Sequence, residues 1–324
     1  MMKQRPWILV WLALPSLAVA QPTTRPFGEV ELSTYAAHDA LTGRLRHGRS
    51  HGAALRARAV WRPGHWRAGA LLDELSLGIG FLGHWSARMP TNAGETQLQP
   101  YDLAPSGSLG GGAFVELLGP RDRFTLTYLF GVTGRASRGD ALYRTLGETE
   151  SWSHAAESEV GQNLYLTWER CWLTAMEMRD GAHLVDVATA TTTALGELHI
   201  AQSLAVTMRV GWMLGPLAGT TRSSGGPWWR SREAYVYATL GVDVVARDAM
   251  IDGPLFNDSP HPHETRARPV VPVAVLGFRL RPWRRLSLGY AIELRGRAVD
   301  VPASAPTTPA SGHATGRLDV EVTW

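Results

Sequence analysis

The stretch Arg317–Trp324, RLDVEVTW, decides the fold of this chain. Its residues alternate between apolar and polar, which predicts a β-strand with one apolar and one polar face. The apolar face holds Leu318, Val320, Val322 and Trp324, and the polar face holds Arg317, Asp319, Glu321 and Thr323. In lipid, an unpaired sheet edge does not survive, so a sheet containing this strand must close on itself. We therefore expect the last strand of a closed membrane β-barrel.

The amino-terminal residues are typical of an export signal. Lys3 and Arg5 precede a short apolar run, and a small-x-small cleavage site ends at Ala20. These features predict a signal peptide over residues 1–20 and a barrel domain over 21–324. The apolar run is shorter than the roughly 20 residues that a membrane-spanning helix needs, and no later segment reaches that length. If the protein lies in a membrane, we therefore expect it to cross as strands.

Alternating segments of about ten residues recur along the chain, separated by clusters of Gly, Pro, Arg and Ser, as in transmembrane barrels. In the two clearest segments, the residues predicted to face the lumen are Tyr235, Tyr237, Thr239 and Asp243, and then Ser287, Glu293 and Arg295. Less regular candidates are 27–36, 50–61, 72–86, 109–118, 123–134, 161–172, 182–192, 197–212, 270–281 and 317–324. Together they predict an all-β, antiparallel barrel of twelve strands, an even number.

Three stretches are predicted to be long loops or a small plug: 88–108, 135–158 and 213–231. The 182–192 segment is the least regular of the strand candidates, and we expect it to be partly helical. No domain boundary and no internal repeat interrupts the pattern, so the prediction is one barrel with long loops and a short helix.

The charge balance argues against nucleic acid as a partner. The whole chain has 32 basic and 29 acidic residues. Removing the signal takes away Lys3 and Arg5, which leaves 30 basic against 29 acidic residues and a net charge of +1. Every remaining cation is an arginine, a side chain suited to phosphate groups. Cys171 is the only cysteine, which excludes an intramolecular disulfide.

The carboxyl-terminal third carries a more specific pattern. ARDAMIDGPLFNDS (246–259), followed by LSLGYAIELRGR (286–297), resembles the closing portion of the LpxR-type lipid A deacylase family. Two upstream stretches, 151–172 and 195–212, are also similar to that family and occur in the same order. Together the similar stretches cover most of the mature chain.

The resemblance implies a divergent family member in the bacterial outer membrane. It implies a twelve-stranded barrel whose site lies between the inner wall and a short helix or loop. The family is calcium-dependent and hydrolyses the ester that holds the 3′-acyloxyacyl group of lipid A. The expected partners are therefore lipid A or lipopolysaccharide and the outer-membrane lipids, and barrel closure suggests a monomer.

The block HDALTGRLRHGRSHG (38–52) resembles the early site block of the family. On that match Asp39 holds the carboxylate position, Ser50 the hydroxyl position and Gly52 a turn glycine. His38 stands where the family has Asn, and Arg49 where it has Tyr. If the protein is active, Asp39 and Ser50 would organise the calcium ion and the ester.

The catalytic histidine of the family is expected within 139–152, and Tyr143 stands at that position. A phenol with a pKa of about 10 is a poor general base at neutral pH. The water-activating base would then be His154 or His38, while Glu148 or Glu150 could add a carboxylate to a calcium site.

Three other interpretations stay open at this point. A degenerate family member could bind lipopolysaccharide without cleaving it, which the tyrosine at 143 favours. A narrow pore is a second alternative, although twelve strands enclose little room for a wide lumen. A soluble periplasmic β-sandwich is disfavoured by the final strand.

Overall fold

Most of the chain forms one antiparallel sheet in a computed structural model. The structure describes residues 29–38, 49–61, 74–87, 106–118, 121–145, 160–177, 183–214, 233–252, 266–283, 286–296, 299–300 and 312–323. The strands are β1 Glu29–His38, β2 Arg49–Trp61, β3 Glu74–Ala87, β4 Ser106–Leu118, β5 Asp122–Thr133, β6 Val160–Glu177, β7 His183–Gly196, β8 His199–Leu214, β9 Glu233–Asp248, β10 Arg266–Ala267, β11 Val270–Trp283, β12 Leu286–Gly296, β13 Val299–Asp300 and β14 Gly312–Thr323. The predicted signal peptide, residues 1–20, lies outside the described residues.

The sheet closes into a barrel. Each strand pairs antiparallel with its neighbour along the chain, except that the two-residue strands β10 and β13 pair only with each other. β14 completes the ring by pairing with β1, with Leu32 opposite Val322 and Ala36 opposite Leu318. Among the described strands twelve belong to this ring. The prediction that the last strand closes a sheet on itself is confirmed.

The predicted segments all correspond to strands, with differences at their ends. The described part of the 182–192 segment, from His183 onward, contains no helix: it belongs to β7, whose valines and threonines favour an extended backbone. Residues 106–108 belong to β4, so the predicted loop 88–108 ends too late. Residues 213–214 belong to β8, so the predicted loop 213–231 begins too early. The rest of the loop 88–108 and of the loop 213–231 lies outside the described residues.

Apolar side chains face outward and polar side chains face inward, as the alternation predicts. In β9, Val236 and Leu240 are 56% and 68% exposed, whereas Tyr235, the residue before Val236, is 8% exposed. In β12, Ser287 is 3% exposed and the neighbouring Leu288 is 36% exposed. Large apolar side chains are left on the outer surface because lipid, not water, surrounds that surface. No helix in the described ranges is long and apolar enough to cross a membrane.

The two ends of the barrel differ in their connections. We call the end where β1 begins and β14 ends the terminal end, and the opposite end the loop end. The loop end carries a 3-10 turn, Gly134–Ser137, and the helices α1 Gly139–Thr145 and α2 Ala249–Asp252. In outer-membrane barrels the longer loops are extracellular. The loop end is therefore the extracellular end.

Ion pairs line the inner wall towards the terminal end. Asp186 of β7 and Arg209 of β8 are 0% and 3% exposed, and the Arg209 Nε donates to both carboxylate oxygens at 2.8 and 3.1 Å. The guanidinium also lies 5.0 Å from the centre of the Tyr235 ring. Two buried charges are stable there only because each satisfies the other.

A second interior cluster surrounds Glu321 of β14. This carboxylate accepts hydrogen bonds from Arg279 and from Arg281, the latter at 2.9 Å. The Arg279 Nε also donates to the Ser287 hydroxyl at 2.6 Å. These contacts link β11, β12 and β14 across the inner wall. The polar face that the sequence predicted for β14 thus holds adjacent strands together.

Candidate functional site

A row of register partners crosses the first four strands at the loop end. His38, the last residue of β1, is opposite His51 of β2. His51 is opposite Trp85 of β3, and Trp85 is opposite Gly107 of β4. The described residues of the predicted early block, His38 and 49–52, therefore lie beside strands that the sequence alone did not connect to them.

The row ends against the 3-10 turn that follows β5. The Trp85 indole Nε1 donates a hydrogen bond to the Ser137 backbone oxygen at 2.9 Å. Ser137 is fully buried, and its hydroxyl donates to the Gly134 oxygen at 2.7 Å. A Cβ at Gly107 would overlap both Ser137 and Trp85. The absence of a side chain at Gly107 is what lets the turn approach the wall.

This contact is made on the outer side of the barrel. Trp85 belongs to the same alternating set of β3 residues as Ile79 and Phe81, which are 67% and 53% exposed. The resemblance implied a site on the inner wall. The described contact between this segment and the wall is instead on the lipid-facing side, because Trp85 points away from the lumen.

Helix α1 begins two residues after Ser137 and contains Tyr143. Its sequence, GDALYRT, has no histidine. Asp140 and Arg144 form an i,i+4 ion pair in α1, with 2.5 Å between Arg144 Nη2 and Asp140 Oδ2. Desolvation of Asp140 raises its pKa, but the hydrogen bond and charge of Arg144 outweigh this, so the pKa of Asp140 lies below its usual value. The carboxylate is therefore committed to its own helix.

A second row contains the predicted hydroxyl residue. Ser50 of β2 is opposite Ser86 of β3, and Ser86 is opposite Ser106 of β4. The row runs next to the one that contains Trp85. Three adjacent strands thus contribute a serine at the same level of the loop end. Gly52, expected in a turn, lies instead within β2 opposite Ala37, because β2 continues through it to the rim.

The remaining predicted site residues cannot be placed. Asp39, Glu148, Glu150 and His154 lie outside the described residues. Among the described residues, no group of three or more His, Cys, Asp or Glu side chains could hold a metal ion. The described part of the rim therefore does not supply a calcium site by itself. Calcium binding stays a prediction that depends on residues 39, 148 and 150.

The described part of the stretch 246–259 lies at the mouth of the barrel. α2 lies within the stretch 246–259, directly after β9, and contacts β4. β4 and β9 are five strands apart in the ring of twelve, almost on opposite sides. Asp252 ties α2 down, since it accepts backbone N–H groups of Asp248 at 2.8 Å and Ala267 at 2.7 Å. α2 therefore extends across the extracellular mouth.

Two other similar stretches are joined by one buried amide. Asn163 of β6, which is 1% exposed, accepts hydrogen bonds from the N–H groups of Leu198 and His199 at 2.9 and 3.0 Å. Its Nδ2 donates to the His199 oxygen at 2.7 Å. The side chain fixes the tight turn between β7 and β8. The similarity over 151–172 and 195–212 thus includes a structural contact.

Sequence reasoning missed His51 and Trp85 as members of the rim. His51 was visible in the block 38–52 as a third histidine, directly after Ser50. Trp85 carried no signal of its own, because a tryptophan near a strand end is common in the aromatic belts of barrels. Only the register of four strands shows that it connects the early block to the segment 134–145.

Comparisons with known proteins agree with the barrel. The family model described as outer membrane protein LpxR matches residues 65–320. The solved structure of LpxR from Salmonella typhimurium is 14% identical, with a TM-score of 0.61, over 90% of this chain and 99% of that one. The COG4313 outer membrane channel from Pseudomonas putida F1 is 10% identical, with a TM-score of 0.46, over 94% and 100%. A structural similarity as weak as the one to this channel supports no conclusion about the present chain. A comparison with curated proteins found no match.

Proposed function

Since the chain belongs to the LpxR family of outer membrane proteins, we propose that it hydrolyses the ester of the 3′-acyloxyacyl chain of lipid A. One observation supports this proposal more than any other. The hydrogen bond from Trp85 to Ser137 joins the wall next to the early block, 38–52, to the segment that contains Tyr143. These are the two regions that the family resemblance assigned to the site.

The reaction needs a base for water and a donor for the ester carbonyl. In this proposal His154 takes a proton from water, and the resulting hydroxide attacks the ester carbon. His38 is the less suitable base for a site that contains Ser50, because it lies in the register row of Trp85, and alternation places that row and the Ser50 row on opposite faces of the wall. The bond between the ester carbonyl carbon and the sugar oxygen then breaks, and the protonated base gives its proton to that sugar oxygen. Ser50 would donate a hydrogen bond to the carbonyl oxygen as it gains negative charge. Tyr143 would orient the substrate.

In this proposal, the residues that would bind calcium all lie outside the part of the chain that the structure describes. Asp39, Glu148 and Glu150 are the carboxylates that could hold it, because calcium prefers oxygen ligands. A bound calcium ion would polarise the ester carbonyl. The proposed proton transfers involve only the side chains of this chain.

The test is mass spectrometry of lipid A from cells that express the full-length chain. Wild type is expected to remove one acyloxyacyl unit, and EDTA during incubation of isolated membranes is expected to stop the removal. Ser50→Ala should lower the rate at least tenfold, since removal of one oxyanion donor typically costs 10²–10³-fold. Ser203→Ala, in the distant strand β8, is the matched control and should keep the wild-type rate. Equal rates for the two variants would remove Ser50 from the mechanism.

A second candidate is a protein that binds lipopolysaccharide without cleaving it. The observation that favours it is the absence of histidine from α1. If the mass spectrum of lipid A is unchanged while the folded protein still binds lipid A in micelles, this candidate replaces the hydrolase.

A narrow pore is the least supported candidate. α2 extends across the extracellular mouth, and the pairs around Asp186 and Glu321 line the inner wall towards the terminal end. We expect no single-channel conductance in planar bilayers. Stable conductance of the wild-type protein would favour the pore.

A further inference from the structure

The segment 134–145 carries positive charge on the lipid-facing side of the barrel. It contains three arginines and one aspartate, Asp140, a net charge of +2. Ser137 anchors the segment against the outer wall through Trp85. The segment is therefore held at the extracellular rim, at the level where lipid headgroups of the outer leaflet begin. The charge is placed where it meets membrane lipids first.

Two of the three arginines are exposed and uncommitted. Arg135 and Arg138 make no close ion pair and no side-chain hydrogen bond with any other residue that the structure describes, although the charge of Arg138 acts on the Asp140 carboxylate, and both arginines are exposed. Arg144, in contrast, is paired with Asp140. The arginines of the interior that the structure describes in the same detail, such as Arg209 and Arg281, are also paired with carboxylates.

The backbone at Arg138 gives an independent reason to look for a role of its side chain. Its φ is 60° and its ψ is 25°, the left-handed region. It is the only non-glycine residue with a positive φ among the described residues. Glycine or asparagine is preferred there, and another side chain adds strain. Strained positions of this kind concentrate at functional sites.

Arg135 and Arg138 lie at the two ends of one tight backbone turn. The Arg138 N–H donates to the Arg135 oxygen at 3.1 Å, which closes a tight turn between them. Two guanidinium groups on one short turn suit a phosphate better than a single cation does, because each group offers several N–H donors in a fixed plane.

We propose that Arg135 and Arg138 form a binding site for a phosphate group of lipid A, the phosphorylated glycolipid of the outer leaflet. The inference rests on the lipid A substrate class of the proposed function, but not on hydrolysis. The committed source is lipid A because the turn lies outside the wall at the extracellular end. A phospholipid phosphate would offer the same chemistry, and the experiment below separates the two.

The experiment measures dissociation constants of the full-length protein in mixed detergent micelles that contain EDTA. The probes are bisphosphorylated lipid A, the same lipid A after dephosphorylation, and phosphatidylglycerol. We expect wild type to bind the bisphosphorylated form most tightly. Arg135→Gln with Arg138→Gln should weaken that binding by roughly 100-fold, about tenfold for each charge-assisted contact, and leave the dephosphorylated form unaffected.

Two further variants separate binding from folding. Arg138→Gly suits the left-handed backbone, so it should keep or raise the melting temperature while it weakens lipid A binding by roughly tenfold. Arg170→Gln, which removes another outward-facing arginine, in β6 and farther from the loop end, is the matched control and should bind lipid A as wild type does. Loss of both stability and binding in Arg138→Gly would point to a structural role instead.

The outcomes distinguish this inference from the proposed function. If the double variant binds bisphosphorylated lipid A as tightly as wild type does, the inference is overturned. If phosphatidylglycerol is bound equally well and with the same dependence on both arginines, the site is a phospholipid site and the inference is also overturned. If lipid A is not deacylated but its binding still depends on the arginines, hydrolysis fails and the inference stands.

Discussion

The interior of the barrel and its extracellular outer rim use polar residues in opposite ways. Inside, Asp186 and Arg209 are buried and satisfied by each other, and Glu321 accepts from two arginines. At the rim, Arg135 and Arg138 are exposed, and the described residues form no close ion pair with either of them. The interior polar groups hold strands together. The rim polar groups are available to a ligand.

The difference has a physical cause. A charge inside a narrow barrel is cut off from bulk water, so it is tolerated only with a partner of opposite charge. A charge at the rim keeps its hydration until a lipid phosphate replaces the water. Mutations in the two regions should therefore differ in kind: interior changes should affect stability, and rim changes should affect binding or turnover.

The largest effect is expected from Asp186→Ala. It leaves the Arg209 guanidinium buried without its carboxylate, which should lower the free energy of unfolding by about 3–5 kcal/mol. Urea titration of the protein in phospholipid vesicles, followed by tryptophan fluorescence, measures the change. Asp186→Leu combined with Arg209→Met removes both charges and should cost far less. Equal losses in the single and the double variant would show that the ion pair does not hold the interior.

A smaller effect is expected where two strands approach closely. A Cβ at Gly112 of β4 would overlap the Tyr128 backbone oxygen, whereas one at the adjacent Gly111 would meet its nearest atom, in Phe81, at 3.4 Å. Gly112→Ala should therefore lower the unfolding free energy by about 1–3 kcal/mol. Gly111→Ala, the matched control, should change it by less than about 0.5 kcal/mol. The same titration checks both, and equal effects would contradict the strand spacing described here.

The architecture could be predicted from the sequence because alternation determines it. The apolar face of the last strand and the recurrent ten-residue segments follow directly from the need to face lipid on one side. The segment 182–192 was assigned partly to a helix because its many threonines and alanines weaken the contrast between its faces. Its neighbours β6 and β8, which pair with it on both sides, settle its conformation.

The site was less predictable because it depends on register. The sequence pointed to the blocks 38–52 and 139–152. It did not point to the contact between Trp85 of β3 and Ser137, which lies just before the second block. That contact requires Trp85, which is neither in a motif nor adjacent to one along the chain. The side of the wall on which this contact lies was not predictable either, since alternation near a strand end becomes visible only when neighbouring residues such as Phe81 are seen to face lipid.

The most direct test of the account is the Trp85→Phe variant, assayed by mass spectrometry of lipid A. The change removes only the indole N–H that donates to the Ser137 oxygen, which is worth about 1 kcal/mol. The account predicts that wild type removes one acyloxyacyl unit and that Trp85→Phe does so about fivefold more slowly, with unchanged barrel stability. Equal deacylation by the two proteins would contradict the claim that this contact organises the site.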